Sequence, residues 1–214
     1  MGLESGRPVI VLIGGQFDEQ QTDAIRRAIL LICEVAEEQN AIVICGGTDM
    51  GVMAEMGQIR SRQEDKFPLV GVAPEAMVTW PGGPHNAKFL GWGEKRWQLE
   101  PHYSHFILVP GSQFGDESPW IIDAATQLSK DHTSVTILIS GGEVSRKDIE
   151  LSLEMGRPVI ALSRTGHLAD ELARQPNRHK LITVIPVHAE QRIVETIQAT
   201  LTNNPVVDSA AKGG

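Results

Sequence analysis

The chain has 214 residues, of which 41% are hydrophobic and 21% are charged, and its formal net charge is −8. This composition is ordinary for a soluble globular protein, and the length suits one α/β domain with a sizeable core. The acidic balance argues against binding to duplex nucleic acid, which needs a basic surface, but it leaves room for a small anion held by backbone N–H groups.

The sequence carries no sign of export or membrane insertion. Residues 1–8 lack the apolar segment of a secretory signal, and no stretch approaches the roughly 20 apolar residues that span a bilayer. Cys33 and Cys45 fall at buried positions of a predicted helix and a predicted strand, as small core residues in a reducing compartment. A disulfide or a redox pair is the alternative. We therefore expect a cytoplasmic protein with no membrane partner.

The first two predicted strands each end in a double glycine and continue into a segment with helical spacing. The first strand, about residues 8–13, leads into Gly14-Gly15-Gln16. The second, about residues 41–45, leads into Gly46-Gly47-Thr48-Asp49. Thr48 or Asp49 is expected to cap the helix that follows.

A third strand, about residues 69–72, is followed by an irregular segment from Ala76 to Pro101 that contains Trp80, Trp92 and Trp97. A loop of this length in a compact domain is often a lid or a binding loop. A contact between subunits explains it equally well, so both interpretations stay open.

Regular alternation of strands and helices resumes in the second half. Strands are predicted over about residues 105–109, 135–140, 158–162 and 181–185. Continuous runs of Val and Ile separated by helices are typical of parallel strands buried on both faces. We predict one α/β domain over residues 1–203, with a Rossmann-like parallel sheet of about seven strands and helices on both faces. Residues 204–214 are predicted to form a disordered tail.

The turns after the strands are candidate ligand-binding elements. In an open parallel sheet, ligands bind outside the carboxyl ends of the strands, where sharp turns present bare N–H groups and positive helix ends that suit phosphate. The structural alternative is that each double glycine only permits a tight turn and close packing. The candidates in these turns are Gly14, Gly15, Gln16, Gly46, Gly47, Gly111, Ser112, Gly141, Gly142, Thr165 and Gly166.

Several common chemistries lack their sequence signatures. There is no dinucleotide-binding Gly-x-Gly-x-x-Gly after the first strand, no Walker lysine and no Gly-x-Ser-x-Gly elbow. His102 and His105 point to opposite faces of an extended chain, so a shared metal is not expected, and no cofactor is predicted. The acidic residues Glu143, Asp148 and Glu150 follow Gly142. They either complement the helix dipole, or hold a ribose hydroxyl, or act in acid–base chemistry.

Three segments resemble a known superfamily. Residues 45–53, Cys-Gly-Gly-Thr-Asp-Met-Gly-Val-Met, are similar to a Gly-Gly-Thr-x-x-Gly-Val-Met segment in the N-terminal homology region of melastatin-type TRP (TRPM) channels. Residues 99–109 resemble the channels' Asn-His-Ser/Thr-His-Phe-Ile-Leu-Val stretch, and residues 157–170 resemble their Pro-Val-Val strand with its Gly-Ser-Gly-x-Ala-Asp turn. The chain is identified as a stand-alone prokaryotic-type member of the SLOG (LSDAT) superfamily, which includes the Lonely Guy enzymes.

The resemblance implies a Rossmann-like fold that recognises nucleotide-derived ligands, ADP-ribose in particular. The positions that match the family motifs best are Gly46, Gly47, Thr48, Gly51, Thr165, Gly166 and Asp170. Lonely Guy phosphoribohydrolases carry Pro-Gly-Gly-x-Gly-Thr-x-x-Glu, whereas residues 140–148 here read Ser-Gly-Gly-Glu-Val-Ser-Arg-Lys-Asp. Ser145 stands in the place of the Thr, and Asp148 in the place of the Glu. Val144 replaces a glycine and restricts the backbone, which weakens the case for the hydrolase reaction.

These observations lead to three hypotheses. The first is a homo-oligomeric sensor or carrier of an ADP-ribose-like nucleotide, with phosphates on the glycine turns and Asp49, Asp170 or Glu143 on ribose hydroxyls. The second is a nucleotide N-glycosidic hydrolase with Asp148 and Glu150 as candidate catalytic residues. The third is an interaction scaffold that has lost the pocket.

Overall fold

The computed structural model describes residues 3–82, 96–130, 132–175 and 179–202. In chain order, its helices and strands are β1 (Val9–Gly14), α1 (Thr22–Glu38), β2 (Ile42–Cys45), α2 (Gly51–Gln63), β3 (Leu69–Pro74), β4 (Val78–Thr79), β5 (Trp97–Gln98), β6 (His105–Val109), α3 (Ser118–Ser129), β7 (Ser134–Ile139), α4 (Glu143–Glu154), β8 (Val159–Ser163), α5 (His167–Arg174), β9 (Ile182–Pro186) and α6 (Glu190–Thr202). Short 3-10 helices cover Glu19–Gln21 and Glu75–Met77. Trp92 and the predicted tail, 204–214, lie outside the described residues.

Within these ranges, seven strands form one parallel sheet in the order β6-β3-β2-β1-β7-β8-β9. The central strands are buried at all but one end residue of β1 and one of β7, which explains their continuous Val and Ile runs. The short strands β4 and β5 pair separately in the irregular segment. The predicted α/β parallel sheet is confirmed.

Helices cover both faces of the sheet, also as predicted. Alternate residues of β1 point to opposite sides: Ile10 and Leu12 pack with α1, α2 and α6, whereas Val9, Val11 and Ile13 pack with α3, α4 and α5. The two apolar cores therefore fix the sheet between two helical layers. In the part of the chain that is described, no helix has the length and apolar character needed to cross a membrane.

The strand order creates a crevice at the centre of the sheet. The chain moves outward from β1 through β2 and β3 to β6, then crosses back to place β7 on the other side of β1. The connections after β1 and β7 therefore run in opposite directions. Ligands in open α/β folds bind at such a switch point, outside the carboxyl ends of the strands.

The start of α2 differs from the expectation that Thr48 or Asp49 caps it. Met50 precedes the helix and makes no side-chain capping bond. The carbonyl of Gly15 instead accepts a hydrogen bond from Val52 N–H, at 3.2 Å, so a neighbouring turn supplies the acceptor that a capping side chain would give. Cys33 and Cys45 are free and buried, as expected of core residues.

Candidate functional site

A cavity of about 180 Å³ opens at the carboxyl ends of β1 and β2, beside the switch point of the sheet. Its walls come from the ends of β1 and β2 and from α2, α3 and α4. The lining residues are Leu12, Ile13, Gly14, Gly15, Gly46, Thr48, Met50, Met53, Phe114, Glu117, Ile121, Val144, Ser145 and Asp148. The double-glycine turns after β1, β2 and β7 (Gly14-Gly15, Gly46-Gly47 and Gly141-Gly142) thus lie at one edge of the sheet. Gly14, Gly15 and Gly46 line the cavity.

The turns at this edge are hydrogen-bonded to one another. The Ser140 hydroxyl donates to the carbonyl of Gln16, at 2.9 Å, which joins the turn after β7 to the turn after β1. Gly51 has φ of +52°, and a Cβ there would lie 2.3 Å from the carbonyl oxygen of Gly15. Glycine is required at Gly51 because the turns after β1 and β2 approach so closely.

The N-terminus of α4 is open toward the cavity. The first helical bond in this region runs from Arg146 N–H to the carbonyl of Gly142, at 3.0 Å. The N–H groups of Glu143, Val144 and Ser145 donate to no acceptor among the described residues. Val144 and Ser145 line the cavity. A positive helix end with free donors therefore borders it, which is the arrangement that binds phosphate in many proteins.

The predicted site residues near α5 are hydrogen-bonded within their own turn instead. The Thr165 hydroxyl is fully buried, accepts a hydrogen bond from Ser140 N–H at 2.8 Å and donates to the carbonyl of Leu162. The Asp170 carboxylate accepts hydrogen bonds from the N–H groups of Arg164 and Gly166. These contacts hold the turn after β8 in shape, and none of Thr165, Gly166 or Asp170 lines the cavity.

The turn after β6 is also closed by its own carboxylate. Asp116 accepts hydrogen bonds from Ser112 N–H at 2.9 Å and from Gln113 N–H at 3.2 Å. These bonds lower the pKa of Asp116. Gly111 permits this closure, since a Cβ there would lie 2.8 Å from the Cβ of Asp116. The Ser112 N–H is therefore committed within the protein, and neither Gly111 nor Ser112 lines the cavity.

The turn after β2 divides its residues between the cavity and the core. Gly46 and Thr48 line the cavity. Gly47 packs against β3, where a Cβ would lie 2.7 Å from Gly71 Cα, and Asp49 is exposed outside the cavity. Of the other candidates, Gln16 and Gly51 contact the turns without lining the cavity, and the side chain of Glu143 is 90% exposed.

Two buried carboxyl groups reach the cavity, from Asp148 on α4 and Glu117 just before α3. Each residue is only 5% exposed. Burial raises the pKa of Asp148 to about 7, and its Oδ1 has no hydrogen-bond partner among the described residues. Burial also raises the pKa of Glu117, which accepts a hydrogen bond from Gly115 N–H at 2.7 Å. A protonated carboxyl near neutral pH can donate a hydrogen bond or a proton to a ligand.

The sequence reasoning missed Glu117 and did not separate Asp148 from Glu150. Glu117 directly precedes the helix start at Ser118-Pro119, in the connection after β6. This position near the carboxyl ends of the strands was the only sequence feature that could have indicated a role in the site. Glu150 is exposed on the outer side of α4, away from the cavity. The described residues contain no cluster of three or more His, Cys, Asp or Glu suited to a metal.

Solved structures share this architecture. The chain is similar to TM1055, a structural-genomics target (TM-score 0.62, 18% identity, 90% of this chain and 99% of that chain). It is also similar to a molybdenum cofactor binding protein from the phototrophic bacterium Rippkaea orientalis (0.61, 18%, 92% and 98%). A third is the molybdenum cofactor carrier protein of Chlamydomonas reinhardtii (0.58, 17%, 91% and 98%). At these identities the likeness establishes the fold.

Sequence comparison gives a narrower result. No curated protein matches the chain. A family model described as "SLOG in TRPM, prokaryote" matches residues 7–204, which is nearly the whole chain.

Proposed function

The chain belongs to the prokaryotic SLOG-in-TRPM family, and from this premise we propose that it binds a phosphorylated, nucleotide-derived ligand of the ADP-ribose type in the cavity at the carboxyl ends of β1 and β2. The observation that carries the proposal is the open N-terminus of α4, whose free N–H groups border a cavity at the switch point. A local positive helix end accommodates an anion even in a chain with net charge −8.

In this proposal, the ligand phosphate lies at the N–H groups of Glu143, Val144 and Ser145. The carboxyl groups of Glu117 and Asp148 bond ribose hydroxyls, and apolar residues such as Phe114 and Ile121 pack against the rest. The cavity, about 180 Å³, is smaller than typical pockets for whole cofactors, which span roughly 300–1,000 Å³. It therefore holds the phosphoribosyl part of the ligand, and the remainder lies across the open edge. Contacts of ribose hydroxyls with Asp49, Asp170 or the Glu143 side chain stay predictions from the sequence. None of these three residues lines the cavity.

The proposal predicts a large effect of charge at Val144. We expect Val144→Glu to weaken ADP-ribose binding at least about tenfold relative to Val144→Gln, because a carboxylate at the helix N-terminus repels phosphate. The two variants differ little in size, so their ratio isolates the charge. Isothermal titration with ADP-ribose, AMP, NAD and the molybdenum cofactor measures it, and the last ligand is included because two structural neighbours carry it in their names.

Equal affinity of the two Val144 variants for a ligand that the protein binds would place that ligand elsewhere. No binding of any of the four compounds would favour the scaffold hypothesis, which predicts a well-defined oligomer without a ligand.

Homo-oligomer formation and a cytoplasmic location are part of our proposal. Trp120 on α3, 47% exposed, is the residue we expect a subunit contact to cover. Light scattering of the wild-type protein and of Trp120→Ala tests that contact.

A second candidate function, hydrolysis of an N-glycosidic bond, is supported by one observation: the Asp148 carboxyl is buried in the wall of the cavity, and this burial raises its pKa to about 7. Such a carboxyl is suited to protonate a leaving base or to activate water at neutral pH. We expect any release of free base from AMP or NAD to fall at least about 100-fold in Asp148→Asn and to persist in Glu150→Gln. Undiminished turnover in Asp148→Asn would remove it as the catalytic residue.

A further inference from the structure

A second cavity, of about 540 Å³, lies at the opposite end of the sheet from the proposed ligand site. It is bordered by the N-terminal ends of β7 and β8 and by the C-terminal ends of α3 and α4. Lys130, His132 and Arg157 line it together with several hydroxyl side chains, and the described part of the lining contains no acidic residue. A cavity with this lining has the charge expected of a site for an anion.

Arg157 is the unusual residue of this cavity. It is only 5% exposed, and burial lowers its pKa to about 10. Its Nε donates to the Ser134 hydroxyl at 2.9 Å, and its Nη2 donates to the Thr126 hydroxyl at 3.0 Å. Its Nη1 is buried and donates to no acceptor among the described residues.

No carboxylate among the described residues pairs with Arg157. In contrast, Arg26, Arg27 and Arg146 lie nearer the surface, and each forms an ion pair with a glutamate at 2.7–2.9 Å. A buried charge without a partner is costly, whereas exposed pairs contribute little. Arg157 is therefore a buried cation beside a cavity, with no negatively charged partner among the described residues.

The threonine hydroxyl groups around the cavity already donate their protons within the protein. Thr126 and Thr200 donate to backbone carbonyls one turn earlier in their own helices, and Thr133 donates to the carbonyl of Leu201. Each of these oxygens can still accept a hydrogen bond. A ligand that fits must therefore present an anionic group for Arg157 and hydroxyl donors for the threonines.

We propose that this cavity is a binding site for a small hydroxylated oxyanion, either a hydroxy acid or a sugar-phosphate-like compound, with Arg157 as its anchor. Lys130 lies at the same cavity and adds a second positive charge. The C-terminal ends of α3 and α4 carry negative partial charge and repel an anion. Binding must therefore depend on Arg157 strongly enough to overcome the helix dipoles.

The test uses citrate and glycerol 3-phosphate as probes, each titrated against chloride at constant ionic strength. Calorimetry and thermal unfolding of the full chain report binding. In the Val144→Glu background, which blocks anions at the other end of the sheet, we expect binding to persist. In Arg157→Gln it is expected to weaken at least about tenfold, as for a lost charge-assisted bond. The stronger of the two probes identifies a carboxylate or a phosphate as the preferred group.

Lys130→Gln serves as the second variant, because Lys130 is exposed and its side chain is therefore not part of the buried core. We expect it to weaken binding about threefold, consistent with one partly screened charge. Binding that is lost in Val144→Glu and kept in Arg157→Gln would overturn the proposal, and so would equal affinity in Lys130→Gln and the wild type.

Discussion

Replacing Gly57 with alanine is expected to lower the free energy of unfolding by about 3 kcal/mol. A Cβ at this position in α2 would lie 1.9 Å from Oε2 of Glu100. The carboxylate cannot move aside cheaply, because it is fully buried and accepts a hydrogen bond from His102 N–H at 2.8 Å. Its other oxygen lies 2.6 Å from Nδ1 of the same histidine.

Helix propensity acts in the opposite direction at Gly57. Alanine is favoured over glycine in a helix interior by about 1 kcal/mol, so a residue chosen on propensity alone would stabilise α2. The predicted loss is the balance after this gain. Urea unfolding followed by circular dichroism measures it, and the melting temperature is expected to fall by roughly 10 °C.

Gly142→Ala is the matched control for Gly57→Ala. Nothing lies within 4 Å of a Cβ built at Gly142, and its φ of −123° is open to any residue. Gly142 is the N-cap of α4, where alanine is less favoured than glycine, so we expect a loss of no more than about 1 kcal/mol. A Gly57→Ala variant as stable as this control would show that Glu100 is not held as tightly as its contacts indicate.

Asp148→Asn is expected to stabilise the protein at pH 8 by between about 1 and 4 kcal/mol and to stabilise it clearly less at pH 5. The pKa of Asp148 rises from 3.8 to about 7 on folding, because burial penalises the carboxylate. The native state therefore binds this proton more tightly than the unfolded chain. Its contribution to stability is complete below pH 3.8 and is lost as the pH rises through about 7.

Glu150→Gln is the control for this pH dependence. Glu150 lies two residues further along α4 but is exposed, so its replacement removes the same charge from solvent rather than from the cavity. Denaturant unfolding of both variants at pH 5 and pH 8 is the measurement. Besides burial, the negative charge of Glu117 raises the pKa of Asp148 in the wild type, and the positive charge of Lys147 lowers it. A gain for Asp148→Asn that is the same at both pH values would show that its carboxyl is not buried.

The seven parallel strands could be predicted because they combine two local signals. Runs such as Val9–Ile13 and Ile42–Cys45 are apolar at every position, and each ends in glycine. Only a strand covered on both faces needs such a run, and only a sharp turn into a helix needs such glycines. The same pattern predicted that these turns meet at one edge of the sheet, where the cavity that we propose as the ligand site opens.

The roles of individual turn residues could not be predicted, since they depend on which donors the fold already satisfies. Ser112 and Gly166 carry N–H groups in the right turns, but Asp116 and Asp170 accept their hydrogen bonds. Nothing local to a sequence tells whether a nearby carboxylate bonds its own turn or a ligand.

The two acids of α4 could have been separated by helical periodicity. Ser145, Ile149 and Ser152 share the buried face of the helix, and Asp148 lies on that face whereas Glu150 does not. Glu117 was beyond reach of such reasoning, because its burial depends on how α3 packs beside β1 and α4.

The bonds between the turns also determine how this edge of the protein opens. Ser140 N–H donates to the Thr165 hydroxyl, and the Ser140 hydroxyl donates to the Gln16 carbonyl. Ala169 N–H donates to the Ser140 carbonyl, and Val52 N–H donates to the Gly15 carbonyl. None of these turns can unfold without breaking a bond to its neighbour. Amide hydrogen exchange at Val52, Ser140 and Ala169 should therefore proceed through one shared opening event, so the edge behaves as a single cooperative unit rather than as separate flexible loops.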